Sequence, residues 1–159
     1  MKNRMLAIVG VIVVLFVALF FVVQYKNKSA VEKAGNPYEK DQLHQATIDQ
    51  LDDPNYQNQI TPDKLAAELE ENEDVTVYFY DPKCKYCREA TPVLVAVTED
   101  LDVDLKKMNL LEFETEWNKY NIEGTPTVVH FENGEEKARI EGAKPEEEFE
   151  EFFEQNVLN

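Results

Sequence analysis

Nineteen consecutive residues, Met5 to Val23, carry no charge and no strongly polar side chain. As a helix this run is roughly 28 Å long, about the thickness of a bilayer's hydrocarbon core. A helix buried in a soluble protein keeps a polar face, and this one has none. The alternative is a cleavable signal peptide, whose apolar region is usually about 7–15 residues long and is followed by a small-x-small cleavage site. Here the run ends in bulky Phe20, Phe21, Val22 and Val23, and the nearest candidate site, Lys28-Ser29-Ala30, has Lys where a small residue is wanted. The expectation is a retained anchor over residues 5–23 with a cytoplasmic tail of residues 1–4, and a cleaved signal as its rival. Positive charge nearly balances across the span, with Lys2 and Arg4 before it and Lys26, Lys28 and Lys33 after it. The very short N-tail favours a body on the extracytoplasmic side, and a cytosolic body is the minority reading.

Without residues 1–23, which take Lys2 and Arg4 with them, the chain has 14 basic and 32 acidic residues, a net −18. So acidic a body repels nucleic acid and anionic headgroups, which excludes nucleic-acid binding as its main activity. Cys84 and Cys87 are the only cysteines of the 159 residues. That excludes a framework of several disulfides and a four-cysteine metal site within one chain.

Residues 24–43 are polar and contain Gly35 and Pro37, which reads as a tether; residues 44–159 read as the folded domain. Asp52-Asp53-Pro54-Asn55 reads as a turn. Thr61 is a suitable N-cap and Pro62 suits a first helical turn, with Leu65 and Leu69 four apart, so a helix is expected to about Glu71. Val75–Tyr80 is a β-branched and aromatic run typical of a strand buried on both faces. Val93–Thr98 has strand propensity, and only its context makes it helical. Val103–Leu110 reads as a strand, and Phe113, Trp117 and Tyr120 as a helix stripe. Thr127–Phe131 and Lys137–Glu141 pair as a hairpin across Asn133-Gly134. Pro145 opens a last helix whose Phe149, Phe152, Phe153 and Val157 share a face. The acidic stretches around Glu70 and Glu147 are solvated helix faces. The order predicts an α/β fold with a central mixed sheet flanked by helices.

Cys84-x-x-Cys87 is the constellation that carries chemistry. Two intervening residues at the start of a helix let the side chains meet and form a disulfide, Cys84–Cys87. The first cysteine then sits where unpaired N–H groups and the helix dipole favour thiolate, the nucleophile for a substrate disulfide. The second, one turn in, resolves the mixed disulfide. A zinc site would need two more ligands, and His44 and His130 are the only histidines, neither at finger-like spacing, so no metal is expected. Both histidines read as structural or surface residues. A purely structural disulfide would restrain little of the unfolded chain across four residues.

V-T-V-Y-F-Y-D-P-K-C-K-Y-C-R-E-A-T-P resembles the strand, active site and kinked helix of the thioredoxin family. Pro92 falls at the family's helix-kinking proline, Gly124-Thr125-Pro126-Thr127 at its cis-proline loop, Phe131–Glu135 at its hairpin and Gly142 at its late glycine. The matches run from about Thr61 to the C-terminus. The resemblance implies a thioredoxin-like fold and a redox-active dithiol without a further cofactor. It also implies that Thr125 and Pro126 orient an extended substrate strand and that residues 93–98 are helical. Three departures stand out: Tyr78 replaces a buried Asp, Lys83 a Trp, and Lys85-Tyr86 the usual Gly-Pro. Lys83, Lys85 and Arg88 place cationic charge near Cys84, which is expected to tune its pKa downward and make the disulfide more oxidising.

The chain is expected to be an enzyme, a membrane-anchored extracytoplasmic thiol–disulfide oxidoreductase resembling the small anchored thioredoxins of Gram-positive bacteria. Its expected partners are cysteines of exported proteins, a membrane or extracytoplasmic redox partner, and the bilayer through its N-terminal helix; it is expected to be monomeric. The charge pattern and the missing Asp lean towards oxidation or isomerisation. The alternatives are a thioredoxin-fold accessory module of an export system, and a reductase supplying electrons outside the membrane.

Overall fold

The structure, a computed structural model, describes residues 2–33 and 35–158. Helix α1 (Lys2–Lys33) is followed by a short α2 (Gln45–Ile48), a 3-10 turn (Pro54–Tyr56) and α3 (Pro62–Glu70). Then come β1 (Val75–Tyr80), α4 (Lys85–Asp100), β2 (Leu105–Asn109), α5 (Glu116–Lys119), β3 (Thr127–Glu132), β4 (Glu135–Glu141) and α6 (Glu146–Asn156). The helix entered as an apolar span continues past Val23 to Lys33, so the first part of the segment that composition marks as tether is helical. Farther on, Tyr38 and Leu43 are buried and pack with Ile48, Leu51 and Phe113.

The sheet has the order β2-β1-β3-β4. β1 and β2 are parallel, joined by α4 as a crossover, while β1–β3 and β3–β4 are antiparallel. All six residues of β1 are buried, as a central strand covered on both faces must be. The period-2 alternation of its side chains makes two cores. Val75, Val77 and Phe79 join Leu65, Met108, Leu110, Ile122 and Val129 on the α3 side. Tyr78 and Tyr80 join Leu94, Val97, Phe149 and Phe153 on the α4 and α6 side. Each fully buried Leu, Val or Phe contributes about 1.5–3 kcal/mol from apolar transfer.

Local signals resolve as their chemistry dictates, with adjustments. Asp53 caps the 3-10 turn through the Asn55 N–H. Thr61 occupies the N-cap of α3, but its side chain makes no capping hydrogen bond and is buried instead. Residues 93–98 are helical, inside α4, because Ala90, Leu94 and Val97 line one buried face. β2 starts at Leu105 rather than Val103, and the stripe of Phe113, Trp117 and Tyr120 holds only the four-residue α5. Asn133 and Gly134 both have positive φ, 52° and 78°, as a two-residue hairpin of the primed type requires. A Cβ on Gly134 would lie 2.2 Å from the Leu69 carbonyl oxygen.

The segment before α3 closes the outer side of β2. Gln59 bridges Lys107 in parallel, with Ile60 N–H donating to Lys107 O and Lys107 N–H to Asn58 O, both at 2.9 Å. Deeper in, the buried Glu112 carboxylate accepts from His44 N–H at 2.8 Å and from the Thr47 hydroxyl at 2.7 Å. Asn109 donates to Thr47 Oγ1 and Tyr38 Oη, and Lys40 pairs with Glu112 and lies over the Phe113 ring.

Candidate active site

β1 ends at Tyr80, and Asp81–Lys83 turn the chain into α4. The Asp81 carboxylate accepts from Lys83 N–H at 2.7 Å and its carbonyl from Cys84 N–H at 2.9 Å, which fixes the turn. Cys84 is therefore the N-cap of α4, with its sulfur taking the place of a capping oxygen: Sγ accepts from Cys87 N–H at 3.4 Å. Its thiol also donates to Thr125 O at 3.3 Å, across from the loop before β3. The Thr125–Pro126 peptide bond is cis. Cys84, Cys87 and Thr125 are thus brought together, with Cys84 half-exposed, Cys87 fully buried and both thiols free.

The two sulfurs differ electrostatically. Burial pushes the Cys84 thiol up, but hydrogen bonds from the Thr125 side chain, the Cys87 and Tyr86 backbone and the Cys87 thiol outweigh it and hold Cys84 below the usual thiol value. Burial pushes Cys87 up to about 12, against weaker opposing pulls from Thr125 and the Asp81 backbone. The pair is an accessible sulfur that ionises readily and a buried sulfur that does not.

Lys83, Lys85 and Arg88 are exposed around this turn. Lys85 pairs with Glu89 at 3.5 Å, and Arg88 donates to the carbonyls of Pro82 and Lys83 at 3.3 Å. The leading causes of the lowered Cys84 pKa are hydrogen bonds, and none of these three cations is among them. A groove of about 250 Å³ lies beside Pro126, lined by Glu123, Gly124, Thr125, Glu141 and Gly142. The Pro126 carbonyl is taken by Gly142 N–H at 2.8 Å. Among the described residues no set of three or more His, Cys, Asp or Glu is arranged to hold a metal ion. His130 is buried in the sheet, its Nδ1 3.0 Å from Thr76 Oγ1.

Two side chains behind Cys87 escape a reading by motif. Thr91, one turn beyond Cys87, donates to Cys87 O at 2.7 Å, and Tyr78 Oη lies 2.9 Å from Thr91 Oγ1 and 3.5 Å from Cys87 O. The sequence marks Tyr78 as a departure without saying what it touches. The i,i+4 spacing of Cys87 and Thr91 was the available signal for the second.

Known proteins share these features. The thioredoxin family model matches residues 47–155. Thioredoxin M4 of Arabidopsis thaliana, a chloroplast protein, is 35% identical over 92 residues, covering 57% of this chain and 48% of its own length. The chain thus spans about half of that relative. Thioredoxin of Rickettsia bellii is 34% identical over 85 residues, covering 52% of this chain and 81% of its own. In three dimensions the chain superimposes on a thioredoxin from Aeropyrum pernix with a TM-score of 0.50 at 26% identity, over 60% of this chain and 83% of that one. With a dithiol at a helix N-terminus facing a cis-proline loop, the chain belongs to the thioredoxin family of thiol–disulfide oxidoreductases.

Proposed function

We propose that the protein works as a membrane-anchored exchanger of thiols and disulfides on the extracytoplasmic side, acting on cysteines of exported proteins. The observation that carries the chemistry is the contrast between Cys84, half-exposed and below the usual thiol pKa, and Cys87, buried and raised to about 12. Cys84 thiolate attacks a substrate disulfide and releases one substrate thiolate. Cys87 then attacks Cys84 Sγ, closing the Cys84–Cys87 disulfide and releasing the second. The reverse sequence delivers the disulfide to a dithiol substrate. No cofactor beyond the dithiol takes part. Thr125 offers backbone groups to an extended substrate in the groove beside Pro126.

The anchor reading is supported by α1, in which Ile8–Ser29 is long and apolar enough to cross a membrane and lies outside the domain core. The test is a Cys87→Ser variant expressed in full length. It traps mixed disulfides with client proteins, visible as reductant-sensitive adducts; an empty trap with Cys84 intact would sink the mechanism. Protease added to intact cells digests the body if it lies outside, and protection there would invert the topology.

A further inference from the structure

Cys84 lies between two walls of opposite charge. One is the first turn of α4 with the loop before it, where Lys83, Lys85 and Arg88 are exposed. The other is the loop that carries the cis Thr125–Pro126 bond. Thr125 joins the walls: its carbonyl accepts from the Cys84 thiol at 3.3 Å, and the same residue lines the groove beside Pro126. The charged residues lining that groove are Glu123 and Glu141, both exposed.

Ion pairs leave charge on each wall. Lys83 has no ion pair among the described residues; the Asp81 carboxylate accepts from its backbone N–H, not from its ammonium. Arg88 spends its guanidinium on the neutral carbonyls of Pro82 and Lys83, which leaves its charge uncancelled. Lys85 meets Glu89 at 3.5 Å, but both ends are exposed, and such a pair holds little energy. Across the cleft, Glu123 has no ion pair among the described residues. Glu141 lies 3.6 Å from Arg139, whose guanidinium is held more closely by Glu136 at 2.7 Å.

The contrast is sharper against the rest of the molecule. Residues 24–159 carry a net −18, so an acidic peptide is repelled at long range. The cations around the nucleophile reverse that sign locally. Among them Tyr86 stands 61% exposed, an aromatic surface for a chain that crosses the cleft.

We propose that Lys83 and Glu123 select the substrate: the segment around its reactive cysteine is bipolar, acidic on the α4 side of the cleft and basic on the Pro126 side. This deepens the exchange reading of the dithiol and rests on it. The chemistry is unchanged. Cys84 thiolate bonds to one substrate sulfur, the substrate disulfide breaks, and the other sulfur leaves as thiolate. The charges fix the orientation of the peptide, since turning it end for end would set base against Lys83 and acid against Glu123.

The experiment uses the full-length reduced protein in micelles of an uncharged detergent. Two end-capped peptides of equal composition and zero net charge are each joined through a disulfide to a coloured aromatic thiol. One has two lysines before its cysteine and two glutamates after it; the other has the reverse order. Attack by Cys84 on the peptide sulfur releases the coloured thiolate. Each second-order rate constant is divided by that of the same peptide with a small free thiol, which removes intrinsic reactivity. With no net charge on either peptide, the acidic body treats both alike at long range, and the ratio reads the cleft. It is expected to be at least about fivefold at low salt, the scale of a few exposed pairs. At ~1 M salt, where screening acts within about 3 Å, it should approach one. In a variant carrying both Lys83→Glu and Glu123→Lys the preference should invert. Any change in thiol reactivity or folded fraction cancels, because both peptides meet the same protein. Equal rates at low salt overturn the inference, and so does a preference that keeps its sign in the double variant. A third peptide, with glutamine at the four charged positions, tests the exchange reading by itself: no release of thiolate from it by the wild-type protein would overturn that reading, and the selection with it.

Discussion

Cys84 and Cys87 sit one helical turn apart, yet their protonation is pulled in opposite directions. The Cys84 value falls because hydrogen bonds to its sulfur outweigh burial, and the Cys87 value rises because burial dominates. Alkylation of the reduced protein should therefore modify Cys84 alone in the folded state, with a pH midpoint below the ~8.5 of a free thiol. Peptide mapping that found Cys87 modified at the same rate would contradict this. Linkage gives a second outcome. A folded-state value raised to about 12 keeps Cys87 protonated where the unfolded thiol has ionised. The contribution is whole below the unfolded value and is lost as pH rises from about 9 towards 12, at up to about 1.4 kcal/mol per unit. Denaturant unfolding of the reduced protein should show this decline, and Cys87→Ala should lack it. The residues that do this work were partly legible: C-x-x-C after an apolar strand marks the nucleophile and its partner. Sequence spacing displays the cations Lys83, Lys85 and Arg88 beside Cys84, whereas the leading causes of its lowered pKa are Thr125 and the Cys87 and Tyr86 groups, which spacing does not display.

At the scale of elements, the hairpin and the pre-α3 segment make contrasting cases. Asn133-Gly134 announces its turn in two letters, and the structure adds why no other residue serves at Gly134: a positive φ and a Cβ that would strike the Leu69 carbonyl. Gly134→Ala should cost about 1–3 kcal/mol, read as a lowered denaturant midpoint with an unchanged slope. The segment before α3 is harder to read. Its buried anchors, Tyr38, Leu43, Thr47 and Tyr56, follow no single period, so no helix or strand pattern betrays them. What holds it is Glu112, a carboxylate 68 and 65 residues away from the groups it accepts from. Glu112→Ala leaves His44 N–H and the Thr47 hydroxyl without that acceptor, at about 2–3 kcal/mol. Limited proteolysis should then cut within residues 36–60 at a rate the wild-type protein resists. Val93–Thr98 shows the limit of propensity from the other side: β-branched residues form helix here because one face of α4 must cover Tyr78 and Tyr80.

For the molecule as a whole, the division of charge is as telling as the fold. Beyond the apolar run, in residues 24–159, acidic residues outnumber basic ones by 18. Anionic headgroups repel such a body, so membrane association should rest on α1 alone. Flotation with anionic vesicles should recover the full-length chain at any salt, while a chain lacking residues 1–33 should stay in the soluble fraction even at low ionic strength. An anchor that confined copies to a surface would multiply their encounters, and a sheet with an unpaired edge would then be exposed to strand-to-strand stacking. One flank of this sheet is covered by residues 58–60 against β2. The other, β4, is a solvent-facing strand that alternates Glu135, Glu136, Lys137, Arg139 and Glu141 along its length. Two such strands laid side by side would bring like charges together and strand them without water. The charge pattern of β4 would thus make this edge a poor seed for a shared sheet wherever copies of the chain are crowded together.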